Sequence, residues 1–503
     1  MTLMLPAAIG FSVEVRRDGG RPIEPAFAAL GSLAKLTECT ADHVVRTVLL
    51  HSGAPERAYA HAEGWTVVLA GELYNQDELE RLLPADASWG GDAELILALF
   101  AVYDVHAFRL FNGRFAALVT TGVRAVLATD HAGSVPLYVA AAPGRVLAAT
   151  EAKALRTAPK GLPLTGRCVP GLPGVHQVSA GTVLDFVVAN GEHQVHRTWA
   201  PPLARQIVSE EEAVGGVRSA LAHAVSARIG TGRPLVVLSG GIDSSSVAAL
   251  AAQKAAEPID TVSMGTDEAD EFPHARTVAQ RLGSTHREVT IGTEELLRRL
   301  PHAVWASEGR DPDIIEYLLP LTALYLRMEG AGRRILTGYG ADIPLGGMHR
   351  EDRLPQLDAV VCRDMDTFDG LNEMTPVLSA IAGHWSTHPY WDRQVLDLLV
   401  SLEAGLKRRY GQDKWVLRAA MGDLLPVSAV IRPKLGVHEG SGTTSAFTRL
   451  LIDAGVPGER VTHAKQLVVL NLFDQVVTAG IHPDDVAVET VVAEVMGRLD
   501  SAA

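Results

Sequence analysis

The stretch Leu235-Val236-Val237-Leu238-Ser239-Gly240-Gly241-Ile242-Asp243-Ser244-Ser245-Ser246-Val247-Ala248-Ala249-Leu250 decides the fold of the second half of the chain. Four apolar residues, Leu235 to Leu238, have the unbroken hydrophobicity of a strand buried on both faces of a parallel sheet. Ser239, Gly240 and Gly241 turn the chain, and Ser244 to Leu250 carry a small-residue pattern compatible with a helix. A glycine turn between strand and helix points backbone N–H groups outward beside a helix N-terminus, which makes an anion site. Hydroxyls at Ser239, Ser244 and Ser245 can add donors along a phosphate chain. Asp243 would repel phosphate unless a divalent cation stands between them, so it argues for Mg2+. The pattern Gly-x-x-x-x-Gly-Lys-Ser/Thr of another phosphate loop has no match. An ordinary tight turn is the plain alternative. Glycines, hydroxyls and an acid coincide at the one place phosphate could sit, which favours the functional reading.

Downstream, Ile259 to Met264 reads as a second strand ending in Gly265-Thr266-Asp267. A βαβ unit places ligand at the carboxyl ends of the strands. Met264 then reaches a nucleotide from the neighbouring strand, or fills the core. A further strand, Arg334 to Thr337, ends in Gly338-Tyr339-Gly340-Ala341-Asp342, and Asp243 with Asp342 makes a two-carboxylate Mg2+ clamp. Ser-Gly-Gly-Ile-Asp-Ser resembles the pyrophosphate loop of enzymes that split ATP into AMP and pyrophosphate. The expected nucleotide contacts are Val237, Leu238, Ser239, Gly240, Gly241, Ile242, Asp243, Ser244, Met264 and Gly338.

The 503 residues are too many for one core. A formal charge of −14 argues against nucleic acid as the main partner. Cys39, Cys168 and Cys362 are far apart and lack metal-ligand spacing, which suits a reducing cytoplasm. Met1 to Gly10 is apolar without a basic start and reads as a first strand rather than a signal peptide. The longest apolar run, Ile314 to Met328, is interrupted by Glu316, Pro320 and Arg327, so no membrane span is expected. The apolar content permits a homodimer.

Residues 1 to 200 read mainly as strands and turns, with a helix opened by Asp92 and a last hairpin, Thr182 to Trp199, turning at Asn190-Gly191. The pieces Gly71-Glu72-Leu73-Tyr74-Asn75, Gly91-Asp92-Ala93-Glu94, Asn112-Gly113-Arg114-Phe115-Ala116, Asp130 to Tyr138 and Glu151-Ala152-Lys153-Ala154-Leu155 resemble the glutamine-hydrolysing domain of class B asparagine synthetases. The resemblance implies an Ntn-hydrolase-like β-sandwich between helices. It does not carry the chemistry: that domain uses a cysteine exposed as the first residue, and Thr2 stands here. Pro201-Pro202 begins a linker over 201–208. Ser209 with Glu212 then forms a capping box opening the second domain, 209–503, an ATP-pyrophosphatase-type α/β unit.

Asparagine synthetases carry Glu where this chain has Tyr339. A tyrosine there, with the missing cysteine, resembles the β-lactam synthetase family, as do Asp311-Pro312-Asp313-Ile314-Ile315-Glu316-Tyr317, Phe368-Asp369-Gly370-Leu371-Asn372-Glu373 and Arg432-Pro433-Lys434. The resemblance implies ATP- and Mg2+-dependent adenylation of a β-amino acid carboxylate, followed by closure of a four-membered lactam. In clavulanic acid biosynthesis the substrate is N2-(2-carboxyethyl)-L-arginine and the product deoxyguanidinoproclavaminate. It further implies that Tyr339 takes the amine proton with Glu373 as partner and that Lys434 stabilises developing negative charge. Tyr317, Tyr339 and Gly340 line the substrate. A guanidinium calls for a carboxylate, with Asp364 preferred over Asp366 and Asp369. The glycine-rich stretch Leu435 to Thr444 is expected to be a mobile lid. A carboxymethylproline-cyclising carbapenam synthetase and an ammonia-dependent asparagine synthetase are the alternatives.

Overall fold

The computed structural model describes residues 5–17, 35–40, 44–51, 54–84, 88–158, 161–202, 207–230, 233–329, 332–347, 356–367, 378–433 and 435–501. Thr2, Asp369, Glu373 and Lys434 lie outside the described residues.

Two antiparallel sheets occupy the first half. One has seven strands in the order Arg167–Cys168, His176–Gln177, Tyr138–Ala142, Arg145–Ala149, Gly10–Arg16, Val45–His51 and Lys35–Thr40. The other has six, in the order His193–Arg197, Thr182–Val187, Arg124–Thr129, Gly113–Thr120, Trp65–Leu73 and Tyr59–Ala62. Alternation along the strands sends Val68, Ala116, Leu118 and Leu127 inward against Phe11, Val13, Leu49 and Val139 of the facing sheet. Their neighbours Val67, Leu69, Ala117, Val119 and Val126 face the other way, onto Leu95, Ile96, Leu99 and Phe100 of the helix Asp92–Tyr103. The outer face of the seven-stranded sheet is covered from the second half: Tyr138, Ala140, Leu147 and Ala149 share a core with Trp305, Phe473, Val476 and Val477. The expected sandwich between helices is present, with one helical layer lent by the rest of the chain. The first strand starts at Gly10, where the expected one ended, because the pairing with Val45–His51 begins there.

The second half is built on a five-stranded parallel sheet ordered Thr285–Ile291, Asp260–Thr266, Leu235–Val237, Arg334–Leu336 and Trp385–Thr387. Chain order runs outward from Leu235–Val237 on one side and from Arg334–Leu336 on the other, so the topology reverses between these two strands. A crevice opens at their carboxyl ends, where open α/β sheets bind ligand. The helix Ile242–Lys254 follows the first strand as its small residues suggested. Ser209 caps the helix Glu210–Ile229 by accepting from the Glu212 amide. Ile314 to Met328 falls in a buried helix, Pro312–Arg327, and among the described residues no helix is long and apolar enough to cross a membrane.

Candidate active site

Two loops leaving adjacent parallel strands form the floor of the crevice. In the first, Ser244 Oγ accepts from the Ser239 amide at 3.1 Å and lies 3.0 Å from Ser239 Oγ, while the Gly241 amide donates to Ser239 Oγ at 3.3 Å. The hydroxyls brace the turn and hold it open at the N-terminus of the helix Ile242–Lys254. Arg432 closes its far side, donating to the Ser239 carbonyl at 2.9 Å and pairing with Glu271. Burial raises the Glu271 carboxyl, with the Arg432 charge acting against it. In the second loop Gly338 presses on the first. A Cβ there would sit 2.3 Å from the Ser244 amide nitrogen, so only glycine lets the two loops meet. Gly340, at φ +98°, lies under Trp391, whose ring would be 1.6 Å from any Cβ.

The cavity above these loops measures about 310 Å3, and its walls include Val237, Ser239, Gly241, Ile242, Asp243, Ser244, Tyr317, Gly338, Tyr339, Gly340 and Asp342. Most of the residues singled out from the sequence therefore meet in one chamber. Four do not line it. Leu238 is wholly buried and tied to the neighbouring strand, its amide donating to Val262 O at 2.8 Å and its carbonyl accepting from the Ser263 hydroxyl. Gly240 sits behind the turn, against His274 and Ala275. Met264 packs against the core, the plain reading of a strand methionine. Asp364, on the helix Leu357–Thr367, stands away from the cavity. Ser245 is also buried, on the inner side of its helix, and offers the cavity no hydroxyl.

Lys414 is the residue that sequence reasoning missed. Its Nζ lies 2.5 Å from Asp243 Oδ2 and 2.6 Å from Asp342 Oδ1, joining the two carboxylates expected to clamp Mg2+. Burial favours the neutral amine, yet Asp243 and Asp342 outweigh it and hold the ammonium's pKa above the ordinary lysine value. Lys414 begins the helix Trp415–Met421 with φ 52° and ψ 34°, a left-handed conformation that costs a lysine roughly 1–2 kcal/mol. Such strain is kept where the side chain's position matters. No local pattern marks it in the sequence; the backbone angle and the long-range pairing are both tertiary.

The convergence of two carboxylates on one ammonium is the fit test for a divalent ion. The same oxygens can face a cation in that place, and their all-oxygen character suits Mg2+. Among the described residues no group of three His, Cys, Asp or Glu side chains converges as a metal site, so phosphate oxygens would complete the coordination.

Aromatic rings form the opposite wall. Tyr317 lies 6.3 Å from Tyr339 and 5.8 Å from His438, centroid to centroid, and Tyr339 stands edge-on to His388 at 5.5 Å. Burial first, then Asp342 and Asp243, pushes the Tyr317 hydroxyl above its usual pKa. Thr337 Oγ1 accepts from the Tyr339 amide at 3.2 Å and lies 2.6 Å from His388 Nδ1. The stretch expected to be a mobile lid is folded in this structure, and its Leu435 to His438 line the cavity. Val437–Gly440 forms a short helix, Glu439 accepts from the Gly436 amide at 2.9 Å, and Ser441 and Thr443 are buried. Thr266 Oγ1 pins it by donating to the Ser441 carbonyl at 2.8 Å.

Comparison with known proteins agrees with this architecture. A family model described as asparagine synthase matches residues 216–363 and 378–479, and one described as glutamine amidotransferase domain matches residues 49–157. Carboxyethyl-arginine beta-lactam-synthase of Streptomyces clavuligerus is 60% identical over 504 aligned residues, which cover 98% of each chain. A glutamine-hydrolysing asparagine synthetase of Arabidopsis thaliana is 25% identical over 435 residues, 80% of this chain and 72% of that one. Among solved structures, a glutamine phosphoribosylpyrophosphate amidotransferase of B. subtilis aligns at 13% identity over 56% of this chain and 59% of its own, with a TM-score of 0.25, too low to carry weight. The fold and site define an ATP-dependent, amide-forming ligase of asparagine synthetase type. Within that class, the chain belongs to the β-lactam synthetase family.

Proposed function

We propose that the chain adenylates the β-carboxylate of N2-(2-carboxyethyl)-L-arginine with ATP and closes the β-lactam ring of deoxyguanidinoproclavaminate, releasing AMP and pyrophosphate. The observation that carries this reading is the sharing of one chamber by the Ser239–Ser244 turn, the Asp243/Asp342 pair and Tyr339. A phosphate turn alone supports adenylation of any carboxylate; Tyr339 in the same chamber supplies the group for the second step.

The substrate carboxylate attacks the α-phosphorus, forming the acyl–adenylate and expelling pyrophosphate. Backbone amides at the turn hold the departing phosphates, and Lys414 neutralises charge beside them. Mg2+, held by Asp243 and Asp342, would screen the triphosphate and polarise it for attack. The secondary amine then attacks the acyl carbon while Tyr339 receives its proton and hands its own phenolic proton to Glu373, and AMP leaves. Glu373 as partner of Tyr339 and Lys434 as the cation at the tetrahedral centre rest on the family resemblance. The same holds for Asp364 at the guanidinium. This reading divides the chain at 201–208 into a glutaminase-like unit without its nucleophile and a synthetase unit. It places the protein in the cytoplasm.

Purified protein supplied with ATP, Mg2+ and N2-(2-carboxyethyl)-L-arginine should release pyrophosphate and yield a product lighter by one water in mass spectrometry. Asparagine from aspartate and ammonia, or pyrophosphate with no lactam, would overturn the reading. Tyr339→Phe should slow lactam formation by about 10²–10⁴-fold while ATP affinity, followed by calorimetry, stays close to the parent's.

A further inference from the structure

The motif Gly71-Glu72-Leu73-Tyr74-Asn75, which resembles part of a glutamine-hydrolysing domain, is bound to other parts of the chain itself. Glu72 is 8% exposed. Its carboxylate accepts from both terminal nitrogens of Arg334, at 2.7 and 2.6 Å, from Trp385 Nε1 at 3.0 Å and from the Tyr74 hydroxyl at 3.1 Å. The cavity beside Arg114 and Trp385 measures about 30 Å3, room for one or two waters and not for an amino acid.

What Glu72 and Tyr74 hold is specific. Arg334 and Trp385 are register partners at the start of adjacent parallel strands, Arg334–Leu336 and Trp385–Thr387. The other ends of those strands carry the Tyr339 loop and His388. Glu72 grips both strands at once, and Tyr74 reaches the far end of one, its hydroxyl 2.9 Å from Thr387 Oγ1. The next residue, His388, contacts the Tyr339 ring and lies against Thr337, which accepts from the Tyr339 amide. A second tie arrives from Asn112 and Arg228, which meet Asp392 Oδ2 at 3.1 and 2.8 Å, beside the Trp391 ring that covers Gly340. Arg228 also lies over the Tyr74 ring, at 3.7 Å. The Glu72–Tyr74 line and the Asn112 contact both run from the glutaminase-like half toward His388 and Trp391, which lie against Tyr339 and Gly340.

We propose that Glu72, with Tyr74, is a positioning residue for Tyr339: the glutaminase-like layer sets the distance between the phenol and the acyl–adenylate. The proposal rests on the reading of Tyr339 given above. Its signature is the fate of the adenylate. A displaced Tyr339 leaves the intermediate intact but slows ring closure. Water then attacks the acyl carbon, the bond to the AMP oxygen breaks, and the free acid and AMP return with release of a proton. Pyrophosphate is spent without lactam.

The test is the ratio of pyrophosphate released to lactam formed by the full-length protein with N2-(2-carboxyethyl)-L-arginine and MgATP. Parent protein should give close to one pyrophosphate per lactam; a parent that makes no lactam refutes the function, not the positioning role. Glu72→Gln, nearly the same shape but without the charge, and Tyr74→Phe, which loses only the hydroxyl with its links to Glu72 and Thr387, should raise the ratio several-fold. Lactam turnover should fall on the order of 10–100-fold, as sub-ångström misplacement of a reacting group does, while the KM for ATP stays within about twofold. A merely destabilised protein would lose folded molecules but keep the parental ratio in those that remain. An unchanged ratio in both variants overturns the proposal. Should Glu72→Gln fail to fold, Tyr74→Phe decides alone, because it removes no buried charge.

Discussion

Two clusters in this molecule pair carboxylates with a buried cation, and they behave as opposites. Glu72 and Arg334 are sealed, their side chains 10% and 8% exposed, and the carboxylate accepts from Arg334, Trp385 and Tyr74. Burial works to raise the Glu72 carboxyl, but Arg334, Trp385 and Tyr74 together hold it below the usual glutamate range. Asp243 and Asp342 meet Lys414 at a cavity instead, the carboxylates 23% and 30% exposed while the lysine is 1% exposed. One face of each aspartate stays available to a ligand. A planar guanidinium that fills a carboxylate's bidentate positions suits a permanent joint; a single ammonium between two carboxylates leaves oxygen positions for a metal ion and phosphate. The same charge arithmetic gives a strut in one place and an adaptable binding surface in the other.

The difference can be broken from either side. The largest effect belongs to the open cluster. Lys414→Ala should lower pyrophosphate release by roughly 10²–10³-fold, the usual cost of removing a preorganised donor at a reacting phosphate, with little change in urea midpoint. A normal rate with a lower midpoint would make Lys414 a strut like Arg334. At the sealed cluster the order reverses. Arg334→Met should cost about 3–5 kcal/mol in urea unfolding by leaving Glu72 buried and unpaired, and Glu72→Leu added to it should recover most of that loss. If the single variant unfolds like the parent, the pair does not hold the two halves together. The smallest effect is in acid. Because the folded Glu72 pKa is depressed, its contribution is complete above the unfolded value, about 4.3, and is lost as pH falls through the folded one. Urea midpoints measured from pH 5 to pH 2.5 should therefore fall less steeply in the double variant than in the parent.

The open cluster was half legible in the sequence and the sealed one hardly at all. The Ser239–Ser244 turn is local: strand, glycines, hydroxyls and acid are contiguous, so its place at a sheet's carboxyl edge could be read directly. Asp342 was legible for the same reason, following a strand and two glycines. Lys414 was not, because it arrives from a distant turn in a conformation no lysine favours alone. Two strands of the parallel sheet also escaped. Thr285–Ile291 is an edge strand whose exposed Arg287 and Glu288 break the apolar run of its neighbours, and Trp385–Thr387 is three residues long. Gly71 to Asn75 was legible as a resemblance, but its new partners lie some 260 to 310 residues away and leave no mark in the local sequence. Ser245 was read toward the nucleotide because it follows Ser244, which does line the cavity, and Met264 because the expected neighbouring strand ends on it. One residue's difference in helix or strand phase turns a side chain from the chamber to the core.

The cover over the seven-stranded sheet bears on how such a chain changes over generations. On the reading that the first half lacks the glutaminase nucleophile, a shorter gene would look an easy next step. Yet Tyr138, Ala140, Leu147 and Ala149 have no helical layer of their own and borrow Trp305, Phe473 and Val476 from the far end of the chain. Truncation on either side would strip an apolar face bare, inviting aggregation before any saving in length could be selected. The first half is thereby kept by its neighbour's need for shelter.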